Sequence, residues 1–347
     1  MGFGVSLTGL QGAQKAMDSV QQNIANVNTP DYKKLDALFT AMDFSGPNNV
    51  PFNPGGVKTD IITSGDPFTD NRVNAAKGQA AYDAAFTSGL QQLNDGVKTA
   101  PVEKAFSEFM NATQDLQTNP QDPVKQTAWK NTGQAFSTAL QALGDQFTAV
   151  SSNIQNQVSL KQIELKNLQA SMSQLTAGPN TPESQSKLNT MQQQVLMLTN
   201  SIAGYQKVIS GVIPPIYSMY TNAAEQAVLG SNESYGQVIL DVNGGFKFDP
   251  NNMGNVKALT EFGNQLFNQQ MGVMNTEMGS QLNSEKNVND AAQAALATAL
   301  SDQKAVSGVD LAEQAVKMVQ YQNMYNANAK AIQVQNEMLG TLLNIKA

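Results

Sequence analysis

The chain has 347 residues, enough for two or three domains, with 41% hydrophobic and only 14% charged residues and a formal net charge of −7. It contains no His and no Cys, which removes the commonest general base, the commonest metal ligand, thiol chemistry and any disulfide framework. A single Arg, Arg72, in an acidic chain leaves no basic face for nucleic acid. Polarity comes instead from amides, 37 Gln and 35 Asn, which keep a surface soluble and let it pack on identical neighbours without like-charge repulsion.

The first residues, MGFGVSLTG, carry no positive region and no long apolar run, so they do not read as a cleaved secretory signal. No run approaches the length of a membrane-spanning helix. Phe3, Leu7, Leu10, Gln14, Met17, Gln21 and Ile24 recur by alternating four and three, which predicts a helix from about Val5 to Val27 with an apolar seam. Asn26, Asn28, Thr29 and Pro30 stop it, since Pro30 pushes Thr29 out of helical geometry. Asn23, Asn26, Asn28 and Thr29 are expected to fix the exit turn by side-chain to backbone hydrogen bonds. Residues 31–55 read as extended or irregular, and Val57 to Thr63 as a short strand.

Helical spacing returns over about 67–95 and again after Pro101, where Val102, Phe106, Phe109, Met110 and Leu116 share a face. Asn119 to Pro123 breaks the chain, with Asp122 as N-cap, Pro123 at the first helical position and Gln126 placed for a capping box. From Val124 to about Leu175 no strong breaker occurs, which predicts a helix of some fifty residues. Gly178 to Pro182 turns the chain into a second long amphipathic helix reaching about Ile213, so the two read as an antiparallel hairpin. Pro214-Pro215 interrupts, and a shorter helix is expected from Ile216 to Leu229. A β-hairpin is expected over Gln237 to Phe248, turning at Asn243-Gly244. Asp241, Asn243 and Asp249 resemble part of a calcium loop, but no acid stands at its fifth position and Asn252 replaces the closing Glu, so no metal, cofactor or catalytic site is expected. Helix resumes near Val256 and runs to about Ala305.

The last forty residues carry the strongest pattern. Leu311, Ala315, Met318, Gln322, Tyr325, Ala329, Ile332, Asn336, Leu339 and Leu343 keep the four-three step, while only Glu313, Lys317, Lys330 and Glu337 are charged between Leu311 and Leu343. Packing shape and amides, not ion pairs, must then select the partner of this helix. The two terminal seams can be buried against each other, against copies in neighbouring molecules, or on one globular core.

Two stretches together resemble the bacterial flagellar axial proteins. The run Asn23-Ile24-Ala25-Asn26-Val27-Asn28-Thr29-Pro30 with Tyr32 is similar to the N-terminal signature of that family. Tyr321-Gln322, Tyr325 to Gln333 (with Asn328), Glu337-Met338-Leu339 and Leu342-Leu343-Asn344 are similar to its C-terminal helix. Phe106 to Phe136 resembles the helical middle of the hook-associated protein 1 family, the first junction between hook and filament; Asp31 departs from the Gly usual before the aromatic. The resemblance implies type III export without a cleaved signal, an extracellular flagellar location, and assembly through the paired ends. It implies as partners copies of the chain, hook protein, the next junction protein or flagellin, and an export chaperone on the C-terminal helix.

The expected fold is mainly α: a terminal-helix coiled coil plus a long-helix bundle with one small β-hairpin insertion. The expected division is 1–45 with 305–347 as an inner domain, 46–228 with 255–304 as the bundle, and 229–254 as the hairpin. The expected assembly surface is Leu7, Leu10, Met17, Asn23, Ile24, Asn26, Asn28, Thr29 and Pro30, with Leu311, Met318, Tyr325, Asn328, Ile332, Leu339 and Leu343. The expected role is structural, not enzymatic. The alternatives are a rod or hook subunit of the same family, or a secreted coiled-coil effector or adhesin.

Overall fold

A computed structural model describes residues 2–29, 32–42, 56–179, 181–219, 238–240, 246–248 and 267–346. It is mainly α with small antiparallel β pairs. In order, the elements are α1 (Gly2–Ala25), β1 (Leu35–Ala41), β2 (Val57–Thr63), α2 (Pro67–Gly96), α3 (Ala100–Thr118), α4 (Pro123–Ala177), α5 (Pro182–Lys207), a π-turn (Val208–Val212), α6 (213–219), β3 (Val238–Leu240), β4 (Phe246–Phe248), α7 (Asn268–Ser307) and α8 (Leu311–Lys346). Two compact units result, Met1–Val73 with Ala297–Ala347, and Asn74–Leu296.

The unit Asn74–Leu296 is built on an aromatic core. Phe106, Phe109, Trp129, Phe136 and Phe267 are all at most 3% exposed. Phe106 lies 4.4 Å from Phe267 and 5.2 Å from Phe136, and Phe136 meets Phe267 edge-on at 5.3 Å. Each such ring buried contributes about 1.5–3 kcal/mol, with a smaller bonus for edge-on geometry. Trp129 has a polar edge in this core, and its Nε1–H donates to Thr113 Oγ1 at 3.0 Å, while Thr113 donates to the Phe109 carbonyl at 2.7 Å.

The helix α4 spans 55 residues, in keeping with its uninterrupted spacing. Asp122 caps it by accepting from the Val124 N–H at 2.8 Å. Gln126 does not close a capping box; its side chain donates to the Pro120 carbonyl at 2.8 Å and ties down the preceding loop. The reciprocal box forms instead at the start of α5, between Thr181 and Ser184. Past Val158 the described residues of the α4–α5 hairpin, up to Ser201, include none that is fully buried; its facing seams are joined near the base by contacts with α2, where Lys77 donates to Gln193 at 3.0 Å.

One expectation changes. Pro214-Pro215 does not end the helix. The prolines cannot donate to the carbonyls of the preceding turn and their rings crowd them, and the chain answers with a wider turn closed from Ile213 N–H to the Val208 carbonyl. Within the segment 31–55, read as extended or irregular, the extended part is β1, which pairs with β2 in antiparallel register from Leu35 with Thr63 to Ala41 with Val57. The expected hairpin is present as β3 and β4, Val238 facing Phe248. Its turn at Asn243-Gly244, most of the expected helix to Leu229, the start of the helix near Val256, and Pro30 lie outside the described residues.

Candidate assembly interface

In the unit formed by the chain ends, α1 packs along α8 and against the β1–β2 hairpin. Two contacts define the helix pair. Asn23 Nδ2 donates to Gln314 Oε1 at 2.9 Å, and a Cβ at Gly9 would stand 2.6 Å from Asn328 Oδ1. The later residue of α1 meets the earlier residue of α8, so the helices run antiparallel.

The buried face of α1 is made of small residues. Ser6, Gly12, Ala13, Ala16, Ser19, Val20 and Asn23 are buried. The apolar seam expected on this helix faces elsewhere: Phe3 is 45% exposed, Leu7 and Ile24 each 39%, and Leu10 and Met17 are half-buried. The reason is one of size. Small side chains let two helix backbones approach, and the partner then supplies the bulk. On α8 that bulk is Met318, Tyr321, Tyr325 and Ile332, all half-buried. With Gln314, Asn328 and Gln335 they keep a four-three step, 314, 318, 321, 325, 328, 332, 335. The expected α8 seam shares Met318, Tyr325 and Ile332 with this face. Ala315, Gln322, Ala329 and Asn336 lie one residue further on, and Leu311 and Leu339, which continue the step beyond the buried stretch, are 52% and 54% exposed. The side chain of Leu343 lies outside the described residues.

Asn23, fully buried, is the hub of the exit from α1. Its Oδ1 accepts from the Leu35 N–H at 2.7 Å and from Tyr32 O–H at 3.0 Å, and its Nδ2 donates to the Leu35 carbonyl at 2.9 Å as well as to Gln314. Burial raises the Tyr32 hydroxyl above the ordinary tyrosine range. Asn26 Nδ2 donates to the Gln22 carbonyl at 2.9 Å, and Thr29 Oγ1 donates to Asn26 Oδ1 at 3.1 Å. Asn28 is exposed.

Around this hub lies an ionic corner that the sequence pattern did not signal. Lys317 Nζ donates to Asp36 and to Glu313, each at 2.7 Å, and Lys34 reaches Glu313 at 3.2 Å. The Lys34 N–H donates to the Ser307 carbonyl at 2.9 Å, and Asp310 caps α8 by accepting from Ala312 N–H at 2.7 Å. Asp70 binds both Lys33 and, at 2.7 Å, Gln303. The hydrogen bond from Lys317 is the main reason the Glu313 carboxyl is held below its usual range, with Lys34 adding to it against the opposing effect of burial. Burial would lower Lys317, but its bonds to Asp36 and Glu313 outweigh that and raise it.

The outer flanks of the pair are apolar and open. Phe3, Leu7 and Ile24 on α1, and Leu311, Val316, Val319, Val334, Met338 and Leu339 on α8, are each between 39% and 58% exposed. So many large apolar groups on two adjacent helices mark a surface that contact with another molecule would cover.

Among the described residues no group of acids could hold a metal ion, and no helix is long and apolar enough to cross a membrane. Residues 303–345, which are the end of α7 and nearly all of α8, match the family model described as flagellar basal body rod FlgEFG protein C-terminal. No curated protein and no solved structure matches the chain. The match supports a flagellar structural role.

Proposed function

We propose that this chain is a structural adaptor subunit of the bacterial flagellum that joins hook to filament, exported by the type III route and assembled outside the cell through its terminal helices. The observation that carries the reading is the terminal helix pair: the small face of α1 and the bulky face of α8 are spent on each other, while apolar flanks remain open. In this reading Leu7 and Ile24 with Leu311 and Leu339 meet neighbouring subunits. Met318, Tyr325, Asn328 and Ile332 hold the pair itself, and Asn23, Asn26 and Thr29 hold its exit turn. The ends 1–45 and 305–347 form the assembling domain. Its neighbours are copies of itself, hook protein, and the next junction protein or flagellin, with an export chaperone on the C-terminal helix before assembly. The role is architectural and needs no cofactor.

The helical middle favours a junction protein, since the resemblance of Phe106 to Phe136 is to that branch. A rod or hook subunit is the second reading, favoured by the matched model being that of rod proteins. Deleting the gene separates them. Hooks without filaments, and flagellin shed into the medium, is the result expected of a junction adaptor. Loss of hooks would move the protein into the rod or hook, and normal filaments would remove it from the flagellar axis in favour of a secreted effector or adhesin.

A further inference from the structure

We infer that the terminal pair α1–α8 has one permitted register, and that its buried amides, not its apolar side chains, fix it. The two defining contacts, Asn23 with Gln314 and Gly9 with Asn328, are separated by fourteen residues on each helix. They are therefore the same register read two heptads apart. Between them α1 presents Ser19, Ala16 and Gly12, and α8 presents Met318, Tyr321 and Tyr325. Small against large is satisfied equally well after a slip of one heptad, so side-chain size alone leaves the register open.

The amides remove that freedom. Asn23 Oδ1 is already occupied by the Leu35 N–H and Tyr32 O–H and one Nδ2 hydrogen by the Leu35 carbonyl, so its orientation is set and the second, buried Nδ2 hydrogen needs an acceptor on α8. A slip by one heptad would take Gln314 away from Asn23 and bring up either Ser307, which lies before α8 begins, or Tyr321, whose hydroxyl stands at the far end of a ring and not at the depth of the Gln314 amide. Gln314 itself is 0% exposed and its Nε2 has no partner among the described residues. A buried amide kept half-satisfied in an otherwise packable seam is poor for stability and good for uniqueness, which is how single buried amides act in helical pairs. This inference goes beyond the flagellar role and does not rest on it.

The chain lacks Cys, so paired spin labels can be placed at will on Lys15→Cys and Asn336→Cys, both exposed positions. Pulsed electron spin resonance on the dilute full chain then reads the register, because a one-heptad slip changes the label separation by about 10 Å. The expected result is one distance for the parent, unchanged at about 1 M salt, where the Debye length is about 3 Å and the ionic corner is screened. A second distance is expected when Asn23→Leu and Gln314→Leu are combined. Should circular dichroism show that this variant loses helix, Gln314→Met decides, since it leaves the bonds of Asn23 to Tyr32 and Leu35 intact. A second distance in it supports the inference. Several distances in the parent, or the parental distance alone in a folded variant, would overturn it.

Discussion

At the scale of single residues, the helices of this protein are positioned by where side chains are missing or amides are buried. Gly204 on α5 shows the first. A Cβ there would press on the Tyr82 carbonyl of α2, which is backbone and cannot rotate away. Gly204→Ala is expected to destabilise the bundle by about 1–3 kcal/mol in denaturant unfolding, despite the better helix propensity of Ala. Glu285 shows the cost of a misplaced charge. Burial, then the nearby Asp83, raise its carboxyl above the usual range, and Lys207 only partly offsets them. A carboxyl raised in the folded state loses stability as pH climbs from its unfolded to its folded value, and that loss persists at neutral pH. Glu285→Gln should therefore raise the melting temperature at pH 7 by an amount worth under about 1 kcal/mol, and change little below about pH 4. An equal gain at both pH values would contradict this account of the site.

At the scale of elements, the pattern of apolar spacing located the helices well and the contact faces poorly. The 55-residue α4, the turn into α5 and the β3–β4 pair follow from periodicity, caps and turn residues that are local in the sequence. The face that α1 buries was not legible, because a seam search weights large apolar groups and this face is Ser6, Gly12, Ala13, Ala16 and Ser19. The spacing of those small residues by three and four was the available signal. The ionic corner was illegible for another reason: Asp36 and Lys317 are 281 positions apart and meet only after the ends pair. The carboxyl of Glu313 is lowered, so its contribution is present above the unfolded carboxylate range near 4.5 and fades as pH falls through the lower folded value. Lys317 is raised, so its contribution holds below about 10.5 and fades only in stronger base. The protection factors of the amides at the start of α8, taken against the intrinsic exchange rate at each pH, should accordingly fall on acidification in the parent, and Glu313→Gln should already show the lower protection at pH 7. Core packing is the stronger test of the bundle. Phe136→Ala removes a ring that touches three others and should cost about 3–5 kcal/mol.

At the scale of the whole molecule, the chain divides its apolar surface between two uses. The bundle buries its aromatic cluster, though Val124, Leu160, Ile163 and Val273 there are exposed, and the flanks of the terminal pair stay open as well. Charging an open flank residue, as in Val319→Glu or Leu339→Glu, should leave circular dichroism and melting within about 0.5 kcal/mol of the parent while preventing incorporation into the assembly. The same change at Tyr325 or Ile332 should loosen the pair itself, because those side chains already face α1. The measurement that tests the central claim most directly is immunogold electron microscopy of isolated flagella, with an antibody to the bundle. A narrow band of label where hook meets filament is the predicted result. Label along the rod or hook would place the subunit elsewhere in the same axis, and isolated flagella without label would contradict a structural role in them.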